Sequence, residues 1–187
     1  MIEDAAAELF AERGYVATTI EEIVTRAGVT KPMLYRHFES KQELVITLLE
    51  RHRDELAAAP LDVLLATADR PFAERLDAML DAWFGYVEDH PFVRLLLHDS
   101  SGEPEVAALV EELHERQRSA DVALLREFAP HIPERELAPF GEIIRSSLAS
   151  LGLWRLDRPE VDRAAVIAAL HRSILAILDP DPTQRHA

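Results

Sequence analysis

Thr18-Thr19-Ile20-Glu21-Glu22-Ile23-Val24-Thr25-Arg26-Ala27-Gly28-Val29-Thr30-Lys31-Pro32-Met33-Leu34-Tyr35-Arg36-His37-Phe38-Glu39-Ser40-Lys41 decides how this chain is read. Thr18 or Thr19 can cap a helix, with Glu21 or Glu22 three residues on to complete a capping box, and Ile20, Ile23 and Val24 face inward. That helix ends near Ala27-Gly28. The next begins at Thr30 or Lys31, with Pro32 in the first turn, where a missing N–H leaves no intrahelical bond unmade. It is expected to stop by Phe38 or Glu39. Ser40-Lys41-Gln42-Glu43 is a further capping box, and it opens a longer helix through Leu44, Leu48 and Leu49 toward Leu56. Upstream, a first helix runs to about Arg13, burying Ala6, Leu9 and Phe10, and Gly14 supplies a residue that tolerates a left-handed stop.

Three short helices with a glycine in the second connection and a basic third helix form the pattern of a helix-turn-helix, whose third element enters the major groove of DNA. At 100° per residue, Leu34 and Phe38 share one face of the third helix and can pack on Ile20, Ile23 and Val24. The opposite face carries Pro32, Met33, Arg36 and His37. Arg36 is suited to a bidentate contact with guanine, and Pro32 and Met33 to a thymine methyl. Lys31 and Tyr35 lie at the boundary, where side chains reach sideways to phosphates. Thr18, Thr19 and Lys41 stand at helix N-termini, where N–H groups and the helix dipole favour a phosphate oxygen.

The chain as a whole is acidic, with a formal charge of −14 over 187 residues. DNA binding is driven by cations that displace phosphate counterions, so distribution matters more than the sum. Both lysines, Lys31 and Lys41, fall within residues 26–41 together with Arg26, Arg36 and His37, against the single acid Glu39.

The residues Gly14-Tyr15-Val16-Ala17-Thr18-Thr19-Ile20, Ala27 to Phe38 and Ser40-Lys41 together resemble the DNA-binding domain of the TetR family of transcriptional regulators. The resemblance spans roughly the first 50 residues and holds across all three helices. It implies a dimeric regulator, usually a repressor, with Thr18, Thr30, Lys31, Tyr35, His37 and Lys41 at positions the family uses on DNA. Met33 and Arg36 fall where the family varies with its operator. The chain begins inside the first helix, without the basic arm that many such regulators carry, so arm contacts are not expected and a start further upstream is open.

Helical periodicity dominates the remainder, and no alternating run bounded by hairpin turns is found, so the class is all-α. After a break expected at Ala57–Pro60, amphipathic segments occupy Leu61–Ala68, Phe72–Asp89, Pro91–Asp99, Pro104–Phe128, Glu134–Leu156 and Pro159–Leu178, with Pro and Gly at most junctions. The tail after Asp179 is expected to fray. The expected domains are 1–45, the helix-turn-helix, and 46–187, a larger helical domain for ligand binding and dimerisation.

In that larger half, a pocket for an unidentified small-molecule effector needs apolar walls and a few polar groups. Met79, Trp83, Tyr86, His90, Phe92, Leu96 and His98 supply both, with ordinary core packing as the alternative for each. Ala164–Leu178 is apolar on nearly every face and must be buried on more than one side. With its partner helix, rich in Ser146, Ser147, Ala149, Ser150 and Gly152, it suits a four-helix contact between two subunits through Ile144, Leu148, Leu151, Ile167, Leu170, Ile174 and Leu178. The alternative is the core of an intramolecular bundle. A homodimer would space its half-sites by about 34 Å or a multiple along a palindromic operator of double-stranded DNA.

Cysteine is absent, which removes disulfides, thiolate metal sites and thiol nucleophiles together. Glu3, Asp4 and Glu8 stand where a signal peptide needs basic residues, and no apolar run approaches the roughly 18 residues of a membrane span. A cytoplasmic protein without membrane association is expected. Glu111-x-x-His114 has the spacing of a di-metal carboxylate helix, but that chemistry needs a second copy, which the sequence lacks. No phosphate loop, nucleophile elbow or HExxH is present, so neither enzyme chemistry, cofactor nor metal is expected. A helical adaptor without a small-molecule ligand is the rival to a ligand-responsive regulator.

Overall fold

The computed structural model describes residues 1–97 and 104–178. Among them the elements are helical: α1 (Ile2–Arg13), α2 (Ile20–Ala27), α3 (Lys31–Tyr35), α4 (Lys41–Ala66), α5 (Phe72–Asp89), a 3-10 turn (Pro91–Val93), α6 (Arg94–Leu97), α7 (Pro104–Phe128), α8 (Glu134–Leu156) and α9 (Arg163–Leu178). None of these helices is long and apolar enough to cross a membrane. The all-α class expected from the periodicity is the class observed.

Local chemistry explains most boundaries. The Thr19 hydroxyl accepts from Glu22 N at 3.3 Å while the Glu22 carboxylate accepts from Thr19 N at 2.8 Å, closing the expected box on α2. Gly28 ends that helix at φ 67°, in the left-handed region that costs a side-chain-bearing residue about 1–2 kcal/mol. Ser40 Oγ accepts from Glu43 N at 3.0 Å ahead of α4.

Three segments differ from expectation. The third helix is shorter: α3 ends at Tyr35, and a tight turn follows in which His37 N and Phe38 N both donate to Leu34 O. Phe38 must be buried just before Ser40 opens α4, and a tighter winding achieves this in fewer residues. The expected break at Ala57–Pro60 is absent, because α4 continues through Pro60. A proline inside a helix costs about 3 kcal/mol. Here it follows three alanines, the best helix formers, and is flanked by buried Leu56 and Leu64. Finally, α9 starts at Arg163 rather than Pro159, with Asp162 accepting from Ala164 N at 3.1 Å.

The described residues form two compact units. The first comprises residues 1–57 with 89–113, and its core gathers Leu9, Phe10, Ile23, Leu34, Leu44, Val45, Leu48 and Leu49 with Phe92, Val93, Val106 and Val110. The Phe10 ring lies 5.5 Å from Tyr15 and 6.0 Å from Phe92, so the 3-10 turn packs on α1. His52 of α4 joins this cluster, only 3% exposed, with its ring 5.3 Å from both Phe92 and His90.

The second unit comprises residues 58–88 with 114–187. Its packing rests on Trp83, which meets Phe84 edge-on at 5.1 Å and covers Gly152 of α8 so closely that a Cβ there would stand 2.7 Å from the indole. Leu125, Ala129, Ile132 and Leu137 form a second buried cluster, against which Phe140, Ile144 and Leu178 pack. Ion pairs tie α9 and α8 to α5, Arg163 to Asp81 at 3.0 Å and to Glu88 at 3.5 Å and Arg155 to Glu88 at 3.6 Å, and His171 Nδ1 lies 2.5 Å from the Asp77 carboxylate.

Burial holds the His52 imidazole down at about 4, and the neighbouring Arg51 lowers it further, while Glu55 acts the other way. A folded-state value below the ordinary 6.5 means that the unfolded chain takes up a proton the folded chain refuses as the pH falls. The His52 contribution is therefore complete above about pH 6.5 and is lost on descending toward pH 4, by about 2–3 kcal/mol between pH 7 and pH 4.5. Urea denaturation at those two pH values should show this loss in the wild type and a flatter response in His52→Gln. Equal pH dependence in the two proteins would contradict the assignment.

Candidate nucleic-acid interface

The third helix presents two chemically distinct faces. Leu34 is fully buried and Phe38 nearly so, as are Ile23 and Val24 of α2, against which α3 packs. Thr30, Lys31, Pro32, Met33, Tyr35, Arg36 and His37 are all exposed. Met33 and Tyr35 are about half exposed, at 46% and 49%. The Thr30 hydroxyl makes no capping bond to α3. The residues assigned to the outer face by helical periodicity are thus exposed.

The turn from α1 to α2 is built differently from expectation. Thr18 is 1% exposed, and its hydroxyl donates to Leu9 O at 3.2 Å and Gly14 O at 2.8 Å. Its N–H donates to Tyr15 O at 3.3 Å. The expectation that Thr18 offers a phosphate contact is corrected accordingly: its donors are spent on the fold, because a buried hydroxyl must find partners inside. Thr19 remains exposed, with its hydroxyl engaged by Glu22 in the α2 cap.

Lys41 is likewise drawn inward. Its ammonium donates to Tyr15 O at 2.9 Å and Thr18 O at 3.0 Å and lies 4.2 Å from the centre of the Tyr15 ring. An ammonium has three donors, so two bonds to carbonyls leave one for an external acceptor.

Of the remaining cations of this region, Arg13, Arg26 and Lys31 are paired. Residues 1–45 hold eight carboxylates against five Lys and Arg, a formal charge of −3. Arg26 reaches back to α1, bonding Glu8 at 3.1 Å and Glu12 at 3.1 Å through two nitrogens. Arg13 bonds Glu22 at 2.6 Å. Lys31 bonds Glu21, whose carboxyl is held below the usual range by that ammonium, while the lysine is raised in return. Arg36 has no ion pair among the described residues. Sequence reasoning missed Glu21 because its partner lies ten residues away across a turn, outside the three- and four-residue spacings that a helix brings together.

The residues expected to line an effector pocket divide between the units. Met79, Trp83 and Tyr86 belong to the second unit, Trp83 as core and the other two half-buried. His90, Phe92 and Leu96 belong to the first, where Phe92 and Leu96 are core. His98 lies outside the described residues. A shallow groove of about 600 Å³ in the second unit is lined instead by Asp77, Asp81, Asp162, Arg163, His171 and Arg172, among others, and by none of the expected pocket residues.

The expected dimer contacts are also redistributed. Ile167, Leu170 and Ile174 are buried within the unit, and Ile144 and Leu178 pack on its Leu125–Leu137 cluster, while Leu148 and Leu151 are half-buried. Of that set the three buried residues are corrected from interface to core. The apolar side chains left outward on α8 are Ile143, 50% exposed, and Trp154, 39% exposed. Ala165, Ala169, Ser173 and Ala176 form an exposed row of small residues on α9.

A helix-turn-helix with an outward third helix, joined to a larger helical unit, defines the class of helix-turn-helix regulators. Residues 2–48 match the family model for bacterial regulatory proteins of the tetR family, and residues 71–178 match that for tetracyclin repressor-like C-terminal domains. The second match alone covers more than half of the chain, and the chain belongs to the TetR family.

Among curated proteins, the chain is 44% identical over 109 residues to the HTH-type transcriptional activator FasR of Mycolicibacterium smegmatis, a match covering 57% of this chain and 49% of FasR. It is 34% identical over 128 residues to the HTH-type transcriptional repressor KstR2 of Mycobacterium tuberculosis, covering 66% of this chain and 62% of KstR2. The chain thus spans about half to three fifths of the length of these relatives, which are regulators of transcription and not enzymes. Among solved structures, the TetR family regulator PfmR of Thermus thermophilus is 30% identical with a TM-score of 0.72, covering 93% of this chain and 96% of PfmR.

The Thr18 hydroxyl provides a direct check on the turn geometry. Thr18→Val keeps the shape but removes the donor to Leu9 O and Gly14 O, and should cost about 1 kcal/mol or more in urea denaturation, whereas Thr18→Ser should recover most of it. A valine variant as stable as the wild type would show that the hydroxyl does not brace the turn.

Proposed function

We propose that this chain is a DNA-binding transcriptional regulator that acts as a homodimer on a palindromic operator and is released by a small-molecule effector. The observation that carries the DNA-binding reading is the exposed side of α3 and the turn after it, Pro32, Met33, Tyr35, Arg36 and His37, opposite the buried Leu34 and Phe38. Residues 1–45 are the reading domain and 46–187 the sensing and dimerising domain. Arg36 takes a guanine edge, Pro32 and Met33 a thymine methyl, and Thr30, Lys31, Tyr35 and His37 flank them toward bases and phosphates. Thr19 and Lys41 set the register through the N-termini of α2 and α4.

Dimerisation uses the exposed rows of α8 and α9, Ile143 and Trp154 with Ala165, Ala169, Ser173 and Ala176. Small side chains allow two helices to approach closely, and an isologous contact of two helices from each protomer closes on itself. The half-sites then repeat at about 34 Å or a multiple.

The effector is assigned to the second unit beside the half-buried Met79 and Tyr86 of α5. It acts only through a difference in affinity between the DNA-competent conformation and another, so operator DNA must weaken effector binding reciprocally. A dimer that merely occupies a promoter represses by exclusion and needs no further surface. The name of KstR2 supports repression, and that of FasR favours a second reading, activation, in which the same DNA contact recruits rather than excludes. The close packing of Trp83 on Gly152 favours another alternative, a regulator without a small-molecule ligand.

Selection of bound fragments from random duplex DNA, repeated with a metabolite panel, tests the reading. The wild type should enrich a two-fold symmetric site, and one metabolite class should reduce its retention. Arg36→Ala should relax the preference at one base pair in each half-site and weaken binding by about 1–3 kcal/mol. Absence of any enriched site in the wild type would refute the function, and an unchanged preference in Arg36→Ala would refute the assigned reading face.

A further inference from the structure

Lys31 is the one formal cation within α3, with Arg36 in the turn that follows, and it arrives already neutralised. Its ammonium reaches back across the α2–α3 turn to the Glu21 carboxylate, and both side chains are about half exposed or more, at 47% and 63%. The pair is therefore within reach of solvent and of any polyanion laid along α3. Neither group is required to hold the fold, since α2 and α3 are in contact and Ile23, Val24 and Leu34 are buried without them. Exposed ion pairs contribute little to stability, which makes this one easy to exchange.

We infer that Glu21 acts as a built-in counterion for Lys31 that restrains non-specific DNA binding and makes it less salt-sensitive. The inference rests on the DNA-binding reading of α3. When Lys31 turns to a DNA phosphate, one condensed cation leaves the DNA, but the abandoned Glu21 carboxylate, now close to a polyanion, takes one up. The net release for that contact is near zero. Removing the carboxylate restores the release of one cation, so the logarithmic salt slope steepens by about one. The same change strengthens binding by about fivefold at about 0.15 M salt, since the gain of one counterion vanishes near 1 M and grows as salt falls. This restraint weighs most on phosphate contacts, which are common to all sequences, and least on base contacts made by Arg36.

The surrounding charges fit this role. Arg13 and Arg26 are held by Glu22, Glu8 and Glu12, so the unit offers few other cations to mask the loss of one carboxylate. Glu21 is held below the usual carboxylate range by Lys31, so it stays ionised throughout the neutral range and acts as a permanent counterion.

The test is fluorescence-anisotropy titration of the full chain against a random-sequence duplex of about two helical turns, over a range of KCl concentrations. Wild type is compared with Glu21→Gln, Lys31→Gln, the double variant, and Asp62→Asn as an exposed acid of the second unit that makes the same change in net charge. Glu21→Gln should bind about fivefold more tightly at about 0.15 M KCl with a slope steeper by about one. Asp62→Asn should behave as wild type, and Glu21→Gln should add much less in the Lys31→Gln background. A Glu21→Gln that matches wild type, or whose gain persists fully without Lys31 or is reproduced by Asp62→Asn, overturns the inference while leaving the DNA-binding reading intact. If neither wild type nor Glu21→Gln binds any duplex, the reading of α3 and the inference fall together.

Discussion

The placement of α3 depends on a buried polar clasp at the turn between α1 and α2. Thr18 turns its hydroxyl onto Leu9 O and Gly14 O, and Lys41 closes from the other side onto Tyr15 O and Thr18 O. These bonds satisfy carbonyls at the end of α1 and in the turn, and they join α1, the turn and the start of α4 with few atoms. Because α4 begins at Lys41, the clasp also fixes where that helix starts relative to the turn. With α2 capped by Thr19 and Glu22 and stopped at the left-handed Gly28, little freedom is left in the placement of α3.

An acidic chain can carry such a surface because its carboxylates are placed on cations rather than spread at random. Glu8, Glu12, Glu21 and Glu22 each meet an Arg or Lys within the first unit. The consequence is a helix-turn-helix whose cations other than Arg36 and Lys41 are neutralised by neighbouring carboxylates, with Arg36 exposed. Specificity is a ratio between right and wrong sites, and lowering the background contributes to it as surely as improving the right contact.

Much of the first unit is legible in its sequence because capping and turn residues act locally. Thr19 with Glu22, Gly28 and Ser40 with Glu43 each announce a boundary within three or four residues, and the alternation of Leu34 and Phe38 with Arg36 and His37 separates a buried face from an open one. Thr18 has a type and position that suit a phosphate, whereas its donor is consumed by carbonyls brought near only by the tertiary fold, and Lys41 spends two of its three donors in the same way. In the second unit, Ile167, Leu170 and Ile174 are as apolar as an interface requires and as a core requires, so hydrophobicity could not choose between them. Pro60 shows the same limit for breakers: a proline after three alanines is carried by the burial on either side of it. The effector residues were the least legible, since Trp83 has the composition of a pocket wall and the packing of a core residue against Gly152.

The central claim is that the outward face of α3 lies against DNA bases. It is tested most directly by placing a photoreactive benzoylphenylalanine at position 33 or at position 143 of the full chain and irradiating each with a duplex selected for binding. A cross-link from position 33 to a base within each half-site, and none from position 143 to DNA, is expected. A cross-link from position 143 with none from position 33, in protein that still binds the duplex, would contradict it.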